Sequence, residues 1–392
     1  MASAFGFALA ECGARVLLPA PQTVQISSVE HAERRASEGS AARVARVPSH
    51  PEEAAGSLYV DTPTGRRLRA HTHVTIENHA LSHRRIEIET NSLGYRNREL
   101  GAKRGTRILF LGDSITFGDS LDEDQTFVRI VEARARASGR DWETVNAGVG
   151  AIGLDHEIAI LLETGLSTEP DVVVLDFYLN DFQPSPGIRV VELSPPFDRS
   201  VLLRHLADAC AAGVGALRVW LGDTEGEWVD LAAWDEALAA AWPPESGRED
   251  VAFLSLARSN IHDWGGAFSP LIWDHLRPRL RELVALSQEH DFRLAVVMFP
   301  VIAQVEARGV FDAPQQQLAR ELAALGVPSL DLLPMLRAAR AAGGGPLFLD
   351  HCHPTARGNA LIARAIDDFL VERVVPGGRT AWQTPPGDLA SP

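Results

Sequence analysis

Four short segments carry side chains able to do chemistry. Ser114 lies in Gly112-Asp113-Ser114, directly after the apolar run Arg107-Ile108-Leu109-Phe110-Leu111. Far downstream, Asp350-His351-Cys352-His353-Pro354 offers a carboxylate and an imidazole three residues apart. A serine hydroxyl is a weak nucleophile until a base takes its proton, and the base needs a third group to fix its tautomer. Ser114, His353 and Asp350 can fill these three roles. With Asp350 folded back onto Nδ1–H, Nε2 of His353 is free to act as the base. Each piece also has an ordinary reading. Ser or Asp after a strand is a common helix cap, and the Gly-x-Ser-x-Gly nucleophile elbow is absent.

Attack on a carbonyl creates an oxyanion, which needs hydrogen-bond donors fixed in advance. Asn146-Ala147-Gly148 and Asn180-Asp181 each follow a predicted strand. Gly148 can present its backbone N–H without a side chain in the way, and Asn180 can offer a neutral amide donor. Taken singly, both asparagines fit turn chemistry equally well. His351, Cys352 and His353 raise the question of a metal, but no second His/Cys cluster supplies the remaining ligands. No metal or other cofactor is expected.

These groups need a frame. From Thr106 onward, apolar runs alternate with helical stretches: Ile108–Leu111, Val172–Phe177 and Leu294–Phe299, with weaker candidates at Glu143–Asn146 and Ser329–Leu332. Runs apolar on both faces suit a buried parallel sheet, and the helices between them suit crossovers. The expected fold class is α/β, a three-layer α/β/α sandwich with about five parallel strands. Reactive groups then collect at the carboxyl ends of the strands, and Ser114 falls at such an end.

Other segments read differently. Residues 1–56 are expected to be an N-terminal segment and linker, rich in Ala, Ser, Glu and Arg from residue 30. Residues 57–103 alternate apolar and polar at Ser57–Asp61, His73–Glu77 and Arg85–Glu89, which predicts a small antiparallel β element. The main domain is expected over 104–375. It contains an insertion at about 183–270, in or just beyond which lie Trp220, Trp228, Trp234, Trp242, Trp264 and Trp273. Those rings can build a core of their own or a binding surface, the former being commoner. Residues 376–392 form a Pro- and Gly-rich tail.

Composition narrows the function classes. The chain has 392 residues, 45% hydrophobic and 23% charged, with a formal net charge of −15. So acidic a chain is poorly suited to displacing counterions from nucleic acid, and no nucleic-acid partner is expected. Cys12, Cys210 and Cys352 form neither a disulfide framework nor a zinc knuckle. No segment has the length and apolarity of a membrane span. Met1–Ala10 is apolar but short and lacks a basic flank, so an ordinary terminus is favoured over a signal or anchor remnant. Location in the cytoplasm or the cell envelope stays open.

Taken in order, the segments around Ser114, Gly148, Asn180 and His353 resemble the SGNH, or GDSL-type, hydrolase family. The matching motifs are Gly-Asp-Ser-Ile, Asn-Ala-Gly, Tyr-Leu-Asn-Asp and Asp-His-Cys-His-Pro. The resemblance spans roughly residues 104–373 without the insertion, and it implies a flavodoxin-like fold. It also implies Ser114 as nucleophile, His353 as general base and Asp350 as its orienter. The oxyanion hole would be the Ser114 and Gly148 N–H groups with the Asn180 side chain. The implied activity is cleavage of carboxylic esters, with short acyl groups such as acetyl expected. The implied partner is a small-molecule or carbohydrate ester. The same triad would serve an acyltransferase passing acetyl to carbohydrate, and a non-catalytic carbohydrate- or partner-binding member is the other alternative. The family's usual Gly-x-Asn-Asp is Tyr178-Leu179-Asn180-Asp181 here, which bears on how open the pocket floor is. Asn91-Ser92-Leu93-Gly94-Tyr95-Arg96 is similar to a segment preceding the catalytic domain in some bacterial members, and a packing role is expected for it.

Overall fold

The computed structural model describes residues 10–11, 13–15, 23–28, 45–46, 58–62, 64–181, 202–203, 231–242, 247–261 and 263–375. The chain divides into two compact units, Met1–Gly94 with Pro186–Asp230, and Tyr95–Ser185 with Leu231–Pro392. The first unit holds β1 (Thr23–Ser28), β2 (Ala45–Arg46), β3 (Tyr59–Thr62), β4 (Gly65–Leu68), β5 (Thr72–Glu77) and β6 (Ile86–Glu89). They form an antiparallel sheet in the order β2-β1-β5-β6 and a separate β3–β4 hairpin. All three alternating segments are strands. The alternation also reads correctly by face: Val74, Ile76, Ile86 and Ile88 are buried. β1 joins this sheet from outside the region where period-two alternation pointed to strands.

The second unit is built on β7 (Thr106–Leu111), β8 (Trp142–Asn146), β9 (Val172–Tyr178), β10 (Arg293–Phe299) and β11 (Ser329–Asp331), in the order β11-β10-β9-β7-β8. Every pairing is parallel. All seven residues of β9 are buried, as are all but the first of β7 and of β10. Their sequences are therefore apolar on both faces. Moving from β7 to β8 runs one way across the sheet, and each later step runs the other. Right-handed crossovers then send the connecting helices to opposite faces. Phe127–Ala137 packs with Ala356–Phe369, and Leu154–Ile160 packs with Ile272–Glu289. The result is the expected three-layer α/β/α sandwich. Its strand order places the switch point between β7 and β9, the crevice where doubly wound sheets bind ligands.

Within Leu231–Phe268 the alternation of strand and helix gives way to helices Leu231–Ala241 and Arg248–Ser259 and a 3₁₀ turn Trp264–Phe268. Phe253 is their hub. Its ring stacks on Phe311 at 3.9 Å and 10°, and Trp242, Trp264 and Phe268 lie 5.4–6.2 Å from it. These aromatics pack on one another and on Phe311, which follows β10. Trp220, Trp228 and the 376–392 tail lie outside the described residues, and of the stretch from residue 30 to 56 only Ala45–Arg46 is described. Among the described residues no helix is long and apolar enough to cross a membrane.

Candidate active site

β7 delivers Ser114 to the switch point. After Leu111 the chain turns tightly at Gly112, where a Cβ would lie 2.2 Å from Thr116 Oγ1. Asp113 caps the one-turn helix Ser114–Phe117, its Oδ1 accepting from Ile115 N at 2.8 Å. Ser114 is the first residue of that helix, where a backbone N–H has no intrahelical acceptor. The turn is anchored below by Thr116 Oγ1, which donates to Asp176 Oδ2 in β9 at 2.8 Å.

The histidine arrives from the other end of the sequence. Asp350 Oδ1 accepts from the backbone N–H of both Cys352 (2.9 Å) and His353 (2.8 Å). That side-chain turn fixes Asp350 relative to His353 before their side chains meet. Leu349 N donates to His353 O, and Phe348 bridges Pro354. Thr355 then caps helix Ala356–Phe369, accepting from Gly358 N at 3.1 Å. Asn359 Oδ1 accepts from Phe127 N at 2.9 Å, tying this helix to the segment downstream of Ser114.

The three side chains lie in line. His353 Nδ1 is 2.8 Å from Asp350 Oδ2, and His353 Nε2 is 2.9 Å from Ser114 Oγ. With Nδ1–H donating to the carboxylate, Nε2 accepts from the serine hydroxyl. Burial opposes a charged imidazole at His353, but the hydrogen bond to Asp350, the Cys352 sulfur beside it and the carboxylate charge outweigh it and raise its pKa. Burial likewise pushes Asp350 up. Its hydrogen bond and charge interaction with His353 and its two backbone N–H partners prevail, holding it well below the usual carboxylate range.

The other predicted residues follow the neighbouring strands β8 and β9. The turn after β9 is closed by Tyr178 N donating to Asp181 Oδ2 (2.7 Å) and Asp181 N donating to Tyr178 O (3.1 Å). Asn180 sits in that turn, with its Oδ1 enclosed and without a hydrogen-bond partner among the described residues. Gly148 follows β8 so closely against the serine helix that a Cβ would lie 2.3 Å from Phe117 N. Its N–H donates to Asn146 Oδ1 at 3.0 Å, while Asn146 Nδ2 donates to Thr116 O at 2.8 Å. Asn146 is thus a brace between β8 and the serine helix, and Gly148 is a glycine because of that close approach.

Behind the serine lies a group of acids that the sequence reading passed over. Asp113, Glu157, Asp176 and Asp181 are all buried. Burial raises each of them, Asp113 to about 6; repulsion from Asp263 adds to it at Asp113, and repulsion within the group adds to it at Glu157, Asp176 and Asp181. Both oxygens of Glu157 and one each of Asp176 and Asp181 lack hydrogen-bond partners among the described residues. For Asp176 a signal existed: one carboxylate inside Val-Val-Val-Leu-Asp-Phe-Tyr, a strand otherwise fit for burial on both faces. Arg96 was also missed as more than packing. It is fully buried and donates to the carbonyls of Phe117, Gly118 and Leu121, pinning the chain that leaves the serine helix.

No family model matches the chain, and no curated protein does. Among solved structures it is similar to a catalytic mutant of Axe2, an acetylxylan esterase from Geobacillus stearothermophilus. That likeness is 16% identity over 68% of this chain and 96% of the other, with a TM-score of 0.40. The acetyl xylan esterase AlAXEase gives 13% identity, 68% and 100% coverage and a TM-score of 0.38. A lipolytic G-D-S-L family protein from Veillonella parvula gives 14%, 67% and 97%, and 0.38. At such identities and TM-scores the functional reading rests on the site itself.

Proposed function

We propose that this chain is a serine ester hydrolase of the SGNH type that removes short acyl groups through an acyl-enzyme. The observation that carries the reading is the hydrogen-bonded line Asp350–His353–Ser114, at 2.8 and 2.9 Å. Ser114 Oγ attacks the ester carbonyl while its proton passes to His353 Nε2. Asp350 holds the imidazole in the working tautomer and stabilises the imidazolium. The alkoxide leaving group takes the proton from His353, leaving the acyl group on Ser114. Water, deprotonated by the same nitrogen, then releases the acid and restores the serine.

The oxyanion of each tetrahedral intermediate is assigned to the Ser114 N–H, the Asn180 side-chain amide and the Gly148 N–H. The last already serves Asn146 Oδ1, so it must be shared or redirected when charge develops. Preference for short acyl groups is supported by Tyr178, which stands where the family has glycine. Its ring is buried and lies against Cys352 of the histidine loop.

The test is turnover of a series of p-nitrophenyl esters from acetate to octanoate, with acetylated xylo-oligosaccharide included. Acetate should be cleaved fastest, Ser114→Ala should abolish turnover, and a fluorophosphonate probe should label Ser114. Undiminished turnover by Ser114→Ala would overturn the assignment. Product analysis with a free sugar as acceptor separates hydrolysis from transfer.

A further inference from the structure

The residue after Asp350 is a second histidine, and a carboxylate from the aromatic insertion reaches it. Asp263 sits at the head of the turn Trp264–Phe268, whose Trp264 and Phe268 rings lie in the cluster around Phe253. Gly265 is packed so tightly there that a Cβ would lie 1.9 Å from Ala257 O. Asp263 is therefore joined to a closely packed turn. Its Oδ2 is 3.2 Å from His351 Nε2, and the other nitrogen, Nδ1, is 3.7 Å from Asp350 Oδ2. His351 O also accepts from Ile302 N at 2.8 Å, which fixes its backbone. The His351 and His353 rings are 6.3 Å apart.

Asp350 Oδ2 thus faces two imidazoles, one on each side. We propose that Asp263 and His351 form a second carboxylate–imidazole pair behind the triad, whose positive charge beside Asp350 sets how basic His353 is. A lone carboxylate against His353 favours the imidazolium and keeps the base protonated. A cation on the far side of that carboxylate weakens its pull, and it repels a second cation directly. Both effects offset part of the rise that Asp350 and Cys352 give His353, which is the direction a general base working near neutral pH needs. The aromatic insertion then has a chemical task, which is to hold Asp263 in place.

Other groups face these rings as well. His353 meets Asp350, Cys352 and Ser114, with Asp113 close enough to act through its charge. His351 meets Asp263, Asp350 and Cys352, and Tyr178 lies against Cys352 from β9. The hydrogen bond to Asp263 and the neighbouring Cys352 raise His351 to about 10 against its partial burial. It is therefore charged across the working range.

The inference rests on Ser114 and His353 acting as nucleophile and base, but its test does not need turnover. The titration midpoint of the His353 imidazole is read by nitrogen NMR, assigned with His353→Gln, in wild type, Asp263→Asn, His351→Gln and His351→Lys. Loss of the cation in His351→Gln should raise the midpoint by roughly 0.5–1.5 pH units, and Asp263→Asn, which removes the carboxylate that favours this cation, should shift it as well. His351→Lys, which restores a cation, should bring it back toward wild type; a purely structural role would not be rescued this way. The pH profile of Ser114 labelling by fluorophosphonate should shift in parallel. Unchanged midpoints in both neutral variants overturn the proposal, as does a wild-type midpoint that moves on adding EDTA, which would mean a metal ion supplies the charge. Failure of Ser114→Ala to abolish turnover, with the midpoints still shifting, would instead sink the hydrolase reading alone.

Discussion

At the residue scale, Asp350 has the most to do. One oxygen organises the backbone of its own loop and the other orients His353, so tautomer and position come from a single side chain. Asp350→Asn keeps an oxygen for the backbone N–H groups but can turn an N–H₂ toward His353. That stabilises the wrong tautomer, and kcat should fall by about 10³–10⁴-fold. The sign of the pH effect follows from the raised His353 pKa. The base is active only when neutral, so wild-type activity falls as pH drops through that pKa. In Asp350→Asn the largest of the raising causes is gone, and the acid limb of the residual kcat/KM should move to lower pH. A profile whose limb stays in place would show that Asp350 does not set it.

At the element scale, the site depends on how closely β8 and the one-turn serine helix approach. Gly148 and Asn146 make that approach possible, the first by lacking a Cβ and the second by bonding to Thr116 O. In Gly148→Ala the new methyl would meet Phe117 N at 2.3 Å. The helix must move, at a cost of about 1–3 kcal/mol from overpacking, and misplacement of Ser114 should cost on the order of 10²-fold in kcat. Thermal unfolding and steady-state kinetics on the same preparation check both effects. A variant with unchanged kcat would mean that the serine helix tolerates the shift. Gly-Asp-Ser could be read from the sequence as a nucleophile turn. The brace opposite it could not, because Asn146 looks like any asparagine after a strand until Thr116 O is seen 2.8 Å away.

For the whole molecule, a group of acids is buried under the site at a cost to stability. Glu157 has both oxygens enclosed without partners among the described residues, and burial, then the charges of Asp113 and Asp176, raise it well above an ordinary glutamate. The folded state therefore holds that proton more tightly than the unfolded state. Its contribution to stability is full below the unfolded value of about 4.3 and is lost as pH rises through the folded one. Glu157→Gln cannot ionise. It should be close to wild type at pH 5 and more stable at pH 8, by about 1–3 kcal/mol, because it has no raised pKa to set against an unfolded chain that ionises. Urea unfolding at the two pH values measures this. Curves that stay parallel between wild type and variant would remove Glu157 as the source.

The sequence by itself determined the three central parallel strands β7, β9 and β10, since burial on both faces demands apolar runs that few other structures need; the edge strands β8 and β11, less buried, gave a weaker signal. It also determined which side chains are chemically able to act, because Ser, His, Asp, Asn and Gly carry those properties wherever they stand. Only the tertiary structure decided how they meet. Ser114 and His353 are 239 positions apart, and no local periodicity encodes a 2.9 Å contact between two loops. It likewise decided that Asp263 reaches His351 and that four carboxyl groups share one buried region. Charge and burial act through space, and their neighbours are set by the order in which strands lie in the sheet.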